Sequence, residues 1–347
     1  MALPIASSAL EAVIEPRLAV VEERLRDAVT QSDALADATS RHLVSAGGKR
    51  LRPLLALLAA QLGDGLRQEV IEAAVVVELT HLATLYHDDV MDSAPTRRGA
   101  PAAHEVWGNS VAILTGDLLF ARASRVVAGL GPEAVRIQAQ TFERLCLGQL
   151  HETVGPTEDD DPVAHYIQVL ADKTGSLIAT SARFGAMFAG CAPVVVQQVT
   201  NYGELAGIAF QLADDVIDVR SDAQTTGKTP GTDLREKVPT MPVLLLRARV
   251  ATGTDAPVSY GGERTMLDPA VVEADRALLA LIDGDLTSGE ALSDVVMRLS
   301  THPVVDQTAE LAHRWSADAI DSIGNLPEGD VKNSLISFAE ALVARAS

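Results

Sequence analysis

Aromatic side chains are scarce in this 347-residue chain, at two Trp, four Tyr and six Phe. With alanine and leucine abundant, that scarcity speaks against extensive sheet and for helix. Cysteine is nearly absent as well. Cys146 and Cys191 form no spaced motif, so there is no disulfide framework. Both lie in apolar, helical-looking stretches, which predicts two reduced, buried thiols in a cytosolic, cytoplasmic protein. Basic residues are few, 28 Lys and Arg against 47 Asp and Glu, for a net charge of -19. General nucleic-acid binding relies on Lys and Arg to neutralise phosphates, and this balance excludes it. A small basic pocket for an anionic metabolite remains compatible. No apolar run, "VPTMPVLLL" included, approaches the ~20 residues that cross a bilayer, so no transmembrane segment is predicted. The opening "MALPIASSALEAVIEPRL" has neither the basic region nor the apolar core of a secretory signal.

What is present is helical periodicity. Apolar residues make up 47% of the chain, enough for a large core. Residues 10 to 45 fit an amphipathic helix. Pro53 to Leu62 and Glu69 to Asp92 read as mostly apolar core helices. Further helices are predicted over 109–129, 133–152, 163–190, 195–220, 239–250, 269–283, 288–300, 303–323 and 328–345. Breaks fall at 62–66, 93–101, 154–162 and 225–233, and residues 250–269 read as a surface excursion rich in Gly, Pro, Thr and Ser. There is no useful alternating strand pattern and no internal repeat. The uniform texture predicts one all-α domain over residues 1–347.

Two acidic clusters carry the chemistry. In "LYHDDVMDSAPTRRGAP" (85–101), Asp88 and Asp92 share a helix face with Asp89 beside them, and His81 and Thr84 lie on that face upstream. Like charges one turn apart destabilise a helix, and Mg²⁺, which takes oxygen ligands, offsets their repulsion. An acidic helix terminus is the plain alternative for one cluster. A second, "GIAFQLADDVIDVRSD", repeats the spacing at Asp214, Asp215 and Asp218, with Gln211 within the same arc of about 100°. Both segments are apolar on their other faces, which a solvated surface does not explain. Mg²⁺ prefers one or two carboxylates completed by substrate phosphates. Paired aspartate helices therefore point to a phosphorylated substrate, most simply a diphosphate. Basic residues at helix junctions agree: Lys49, Arg50 and Arg52 in "GGKRLRP", Arg97 and Arg98 after the first cluster, then Lys173 beside Thr174, and Lys228. Gathered in so acidic a chain, they read as anion sites.

On these residues the chain resembles the trans-isoprenyl diphosphate synthases, or polyprenyl synthetases. The likeness runs through "GGKRLRP", "HDDVMDSAPTRRG", "GNSVAILTGDLLFARA", "DKTGSLIATSARFGA", "FQLADDVIDV" and "GKTPGTDLREKVPTMPVL", strongest over residues 40 to 250. The resemblance implies an all-α isoprenoid-synthase fold, a homodimer, aspartate helices facing a central cavity, and head-to-tail condensation of isopentenyl diphosphate with an allylic prenyl diphosphate. It implies that Asp88 and Asp92 bind two Mg²⁺ and Asp214 a third, with Asp89, Asp215 and Asp218 completing the shells or holding water. Arg97, Lys173, Thr174, Gln211 and Lys228 would hold the allylic diphosphate. Lys49, Arg52, His81 and Arg98 would hold isopentenyl diphosphate. Asp88, Asp92, Arg97, Lys173 and Asp214 would be catalytic. His81 is better read as a phosphate donor than as a base.

The chain departs from the family at "REKVPTMP", where Lys237 sits one position early and Val238 takes the usual lysine place, so Lys237 is left out of the site. In the family, residues four and five before the first motif set product length. Here they are Thr84 and Ala83, both small, which predicts a long all-trans product, C30–C50, of quinone side-chain type. Geranylgeranyl diphosphate is the alternative if another helix blocks the tunnel. A terpene cyclase of the same fold would not need "GGKRLRP" or the second aspartate motif and usually lines its cavity with aromatics. A non-catalytic subunit of a heterodimer tends to lose an aspartate motif, and both are intact.

Overall fold

Where the apolar spacing is unbroken, helices form close to the predicted limits, and their ends coincide with caps and prolines. The computed structural model describes residues 5, 7–220, 230–255 and 265–344. In chain order the helices are α1 (Ser8–Val29), α2 (Ala34–Ser45), α3 (Leu51–Ala60), α4 (Gln68–Met91), α5 (Ala103–Trp107), α6 (Asn109–Ala128), α7 (Pro132–Val154), α8 (Pro162–Leu170), α9 (Ser176–Phe188), α10 (Pro193–Arg220), α11 (Thr232–Arg235), α12 (Met241–Thr252), α13 (Pro269–Asp283), α14 (Gly289–Ser300), α15 (Pro303–Ser322) and α16 (Asp330–Val343). The fold is all-α. Its one described sheet is a two-stranded hairpin, β1 (Thr96–Arg97) and β2 (Ala100–Pro101).

Three predicted stretches are corrected. Residues 10–45 are two helices, because Asp33 caps a new start by accepting from Ala36 N–H at 2.9 Å. Residues 163–190 are interrupted by a π-helical turn, Ala171–Gly175. Cys146 is exposed, not buried.

The chain forms two compact units, each assembled from three segments. Unit one comprises Met1–Leu147, Lys173–Gly207 and Asp318–Ala339; unit two comprises Gly148–Asp172, Ile208–Ala317 and Glu340–Ser347. The helical texture carries no sign of this division, since every segment has the same periodicity. In unit one α4 packs against α1, α3, α6 and α9. It is the one described helix long and apolar enough to cross a membrane, and 72% of its apolar window is buried inside the protein. The core of unit two runs through α8, α10 and α12–α15, with Leu212, Val216, Leu246, Leu299 and Val304 at its centre.

Candidate active site

In unit one the site begins at the glycine-rich turn before α3. Gly47, Gly48 and Arg50 have φ of 78°, 150° and 50°. The left-handed Arg50 is not free to bind substrate. It is buried and paired with Glu22 and with Glu78 (2.8 Å), and it also donates to Val44 O. Burial pulls its pKa down, but the two carboxylates outweigh that and leave it raised. The pinned Arg50 launches α3, which carries Arg52.

Arg52 differs. It is half-buried, and its Nε is buried without a hydrogen-bond partner. Burial lowers its pKa to about 10, with the nearby Arg98 adding to the effect and Glu78 and Asp88 opposing it. His81 is held well below its usual pKa by burial and by the positive field of Arg52, Arg98, Arg97 and Arg50. A buried, unpartnered guanidinium Nε together with the shared positive field of four arginines makes this a favourable place for an anion. Lys49 is exposed.

The β1–β2 hairpin brings the other two arginines. Its two-residue loop, Arg98–Gly99, has φ of 55° and 78°, the pair of left-handed residues a type I′ turn requires. Arginine is a poor choice there. Its strain is offset because Nη1 donates to Leu43 O (3.3 Å) and Gly47 O. A Cβ on Gly48 would lie 2.8 Å from Arg98 Cζ, so the glycine is what admits the guanidinium. Arg98 thus reaches the anion site already engaged with backbone carbonyls. Arg97 donates from Nε to Asp89 Oδ1 at 2.6 Å. One edge of Arg97, which the resemblance assigns to the allylic diphosphate, is thus bound to the first aspartate motif.

That pairing separates the three aspartates. Asp89 is fully buried, and its other oxygen, Oδ2, is buried with no partner. Burial raises its pKa and Arg97 opposes the rise. Asp88 is half-buried and Asp92 exposed. Unit two repeats the arrangement with different partners. Asp215, the middle residue of the second motif, is 2% exposed. It accepts from Tyr166 Oη at 2.9 and 3.1 Å and from Met241 N–H at 3.1 Å. Burial and the charge of Asp233 push its pKa well up, against those two donors. Asp214 and Asp218 are half-buried, and Asp218 accepts from Asp233 N–H at 3.4 Å. Sequence reasoning missed Tyr166 and Asp233. Their positions carry no motif signal, and only the packing of α8 and α11 on α10 brings them in.

The remaining predicted residues sit as follows. Lys173 and Thr174 fall in the π-helical turn, a distortion frequent at functional sites. Lys173 is half-buried and Thr174 buried. A Cβ on Gly207 of α10 would lie 2.6 Å from Gly175 Cα, so glycine at 207 lets α10 press on this turn. Gln211 is half-buried one turn further along α10. Lys228 lies outside the described residues. Lys237 donates from Nζ to Ile282 O (2.8 Å) and Gly284 O, capping α13, in keeping with its omission from the site. Ala83 is buried, and a Cβ on Gly116 of α6 would lie 3.1 Å from its carbonyl oxygen. Thr84 donates to His81 O at 2.8 Å.

Among the described residues no three acidic, histidine or cysteine side chains converge on one cation. The exposed and half-buried carboxylates are hard oxygen donors in ones and twos, which suits Mg²⁺ completed by phosphate oxygens better than a cation held wholly by protein.

A sequence profile of the polyprenyl synthetases matches residues 33–256. The chain belongs to the polyprenyl synthetase family. It is 39% identical over 335 residues to nonaprenyl diphosphate synthase of Mycobacterium tuberculosis, spanning 96% of this chain and 94% of that one. The structure of polyprenyl synthase from Caulobacter crescentus, complexed with calcium and isoprenyl diphosphate, superposes with a TM-score of 0.84 at 29% identity over 100% of both chains. Geranylgeranyl pyrophosphate synthase from Corynebacterium glutamicum, in complex with the same two ligands, gives 0.80 at 40% identity over 99% of each chain. The protein is a prenyltransferase of all-α fold.

Proposed function

We propose that the chain condenses isopentenyl diphosphate head-to-tail with an allylic prenyl diphosphate and releases a long all-trans polyprenyl diphosphate. The carrying observation is the buried Arg52 Nε without a hydrogen-bond partner, near enough to His81 and Asp88 for their charges to act on one another. The nonaprenyl relative supports the long product. The Corynebacterium structure supports geranylgeranyl diphosphate as the second reading.

Arg52, His81 and the outer edge of Arg98 bind the isopentenyl diphosphate, with Lys49 at the rim. His81, being neutral, donates one ring N–H to a phosphate oxygen and carries no charge of its own into the pocket. Arg97, Lys173, Thr174, Gln211 and Lys228 bind the allylic diphosphate. Asp88 and Asp92 would hold two Mg²⁺ and Asp214, with Asp218 beside it, a third. Bound there, Mg²⁺ would supply positive charge to stabilise the departing diphosphate. Asp89 and Asp215 are reassigned from the metal shell to support, since both are buried, Asp215 accepting from Tyr166 and the Met241 N–H and Asp89 held through one of its oxygens by Arg97. Aliphatic walls exclude water from the cation, the alkene attacks without a nucleophilic side chain, and the cation that results loses a proton to the departed diphosphate to restore the double bond. We further propose a cytoplasmic homodimer of single-domain protomers. Exposed Val106, Ile113, Leu114 and Leu147 of unit one support a self-association surface.

Incubating the protein with Mg²⁺, isopentenyl diphosphate and farnesyl diphosphate and chromatographing the products tests activity and length together. Failure to elongate any allylic primer refutes the proposal. A C20 main product selects the second reading.

A further inference from the structure

Tyr86, two residues before Asp88, is fully buried in unit one. It lies about 200° from Asp88 around α4 and so points away from it. Its hydroxyl enters the backbone of α2. Oη donates to Thr39 O and accepts from Leu43 N–H at 3.3 Å. Thr39 and Leu43 are four residues apart, so these are the carbonyl and the amide that a helix pairs with each other. The hydroxyl serves both ends of one helical hydrogen bond. α2 packs chiefly on α1 and α6, and the tyrosine reaches across to it from α4.

Leu43 carries the tie onward. It gives its N–H to Tyr86 and its carbonyl to Arg98 Nη1 (3.3 Å), which also donates to Gly47 O. One residue earlier, His42 Nε2 donates to Pro101 O of β2 at 2.8 Å. α2 therefore holds the β1–β2 hairpin at two places. From the hairpin, Arg97 returns to α4 through Asp89 at 2.6 Å. Tyr86 and Asp89 are three residues apart, neighbours on one face of α4. The contacts thus close on themselves: α4 to α2 through Tyr86, α2 to the hairpin through Leu43 and His42, and the hairpin to α4 through Arg97. In an open series of contacts Arg98 is free to swing with its turn. In a closed one its guanidinium is fixed by the separation of α2 and α4, which the length of the tyrosine sets.

Resting on the reading of Arg98 as a ligand of isopentenyl diphosphate, we propose that Tyr86 is a positioning residue for that substrate. Its hydroxyl sets the Leu43 carbonyl, and through it the Arg98 guanidinium, from the side of the aspartate helix opposite Asp88. It acts through Arg98 and not on the substrate. Phenylalanine would fill the same space and leave Thr39 and Leu43 to pair with each other. The last turn of α2 then tightens, and the Leu43 carbonyl moves out from under Arg98. The allylic side of the site, carried by the π-helical turn, should not follow.

The test compares Tyr86→Phe with wild type in elongation assays with Mg²⁺, varying isopentenyl and farnesyl diphosphates in turn. Calorimetric titration of the metal-free protein with isopentenyl diphosphate alone reads binding without catalysis. The KM and the calorimetric Kd for isopentenyl diphosphate should both rise about fivefold, the net worth of one hydrogen bond. The KM for farnesyl diphosphate should stay in place. In an Arg98→Gln background the same change should add nothing, because its route is gone. A lowered unfolding midpoint with both substrates unaffected, or an equal rise for both, overturns the proposal. Should Tyr86→Phe not fold, His42→Ala, which removes the other tie of α2 to the hairpin, carries the same expectation and the same refutation. A wild type that neither elongates a primer nor binds isopentenyl diphosphate overturns the reading of the site, and the positioning with it. Wild-type binding that the variants leave unchanged overturns the positioning alone.

Discussion

On the proposed reading Asp88 and Asp89 are neighbours with opposite duties, and single substitutions separate them. Asp88→Asn should lower kcat by orders of magnitude and leave the unfolding midpoint in place. Asp89→Asn strips the charge from the buried partner of Arg97 (2.6 Å). It should cost about 1.5–3 kcal/mol of stability, the range for a hydrogen bond to a charged group, read from urea denaturation. A stability loss at Asp88 equal to that at Asp89 would contradict the assignment. His81 makes a pH prediction. Its folded pKa is depressed, so below the usual value of about 6.5 the unfolded chain binds a proton that the folded chain does not. Stability is therefore full above that pH and falls as pH drops through the window beneath it. His81→Asn should flatten this acid slope in denaturation midpoints measured from pH 7 to 5. At this scale residue types were legible and duties were not. Two aspartate motifs could be seen along the chain, but nothing in "DDVMD" says that its second carboxylate turns inward. That depends on Arg97 arriving from a hairpin whose turn puts a left-handed arginine where asparagine or glycine is usual.

Among the elements, the π-helical turn Ala171–Gly175 and α10 depend on each other. Gly207→Ala would drive a methyl to 2.6 Å from Gly175 Cα, and overpacking of this kind costs about 1–3 kcal/mol. Because the turn carries Lys173 and Thr174, the variant should also raise the KM for the allylic substrate. A normal KM alongside lowered stability would detach the turn from binding. Helix limits were largely readable: the predicted 269–283 and 303–323 match α13 and α15 to within a residue. Prolines and Asp268 mark those starts in the chain itself. The π turn was not readable, because "ADKTG" fits ordinary helical periodicity and the close approach of α10 at Gly207 exists only in the folded chain. The break before α2 was written in Asp33 but masked by apolar spacing that continues through it.

For the whole molecule, the proposed homodimer predicts a sedimentation mass of twice 36.5 kDa. Leu114 is 65% exposed on α6, and Leu114→Glu should shift that mass towards one copy. An unchanged dimer would place the interface elsewhere, and a monomeric wild type would remove the proposal. The division into two units was invisible in the chain, since segments far apart in sequence and alike in texture alternate between them. Family membership was legible because the motifs carry it without the tertiary fold.

Gly48 and Arg98 have one further consequence, for how such chains can change. The guanidinium fills the space a side chain at 48 would need. Shortening Arg98 first abandons the Leu43 and Gly47 carbonyls, and enlarging Gly48 first evicts the arginine. Either single step is expected to leave the protein less stable than the pair. Fifty residues apart in the chain, the two positions are therefore expected to change stability non-additively when both are substituted.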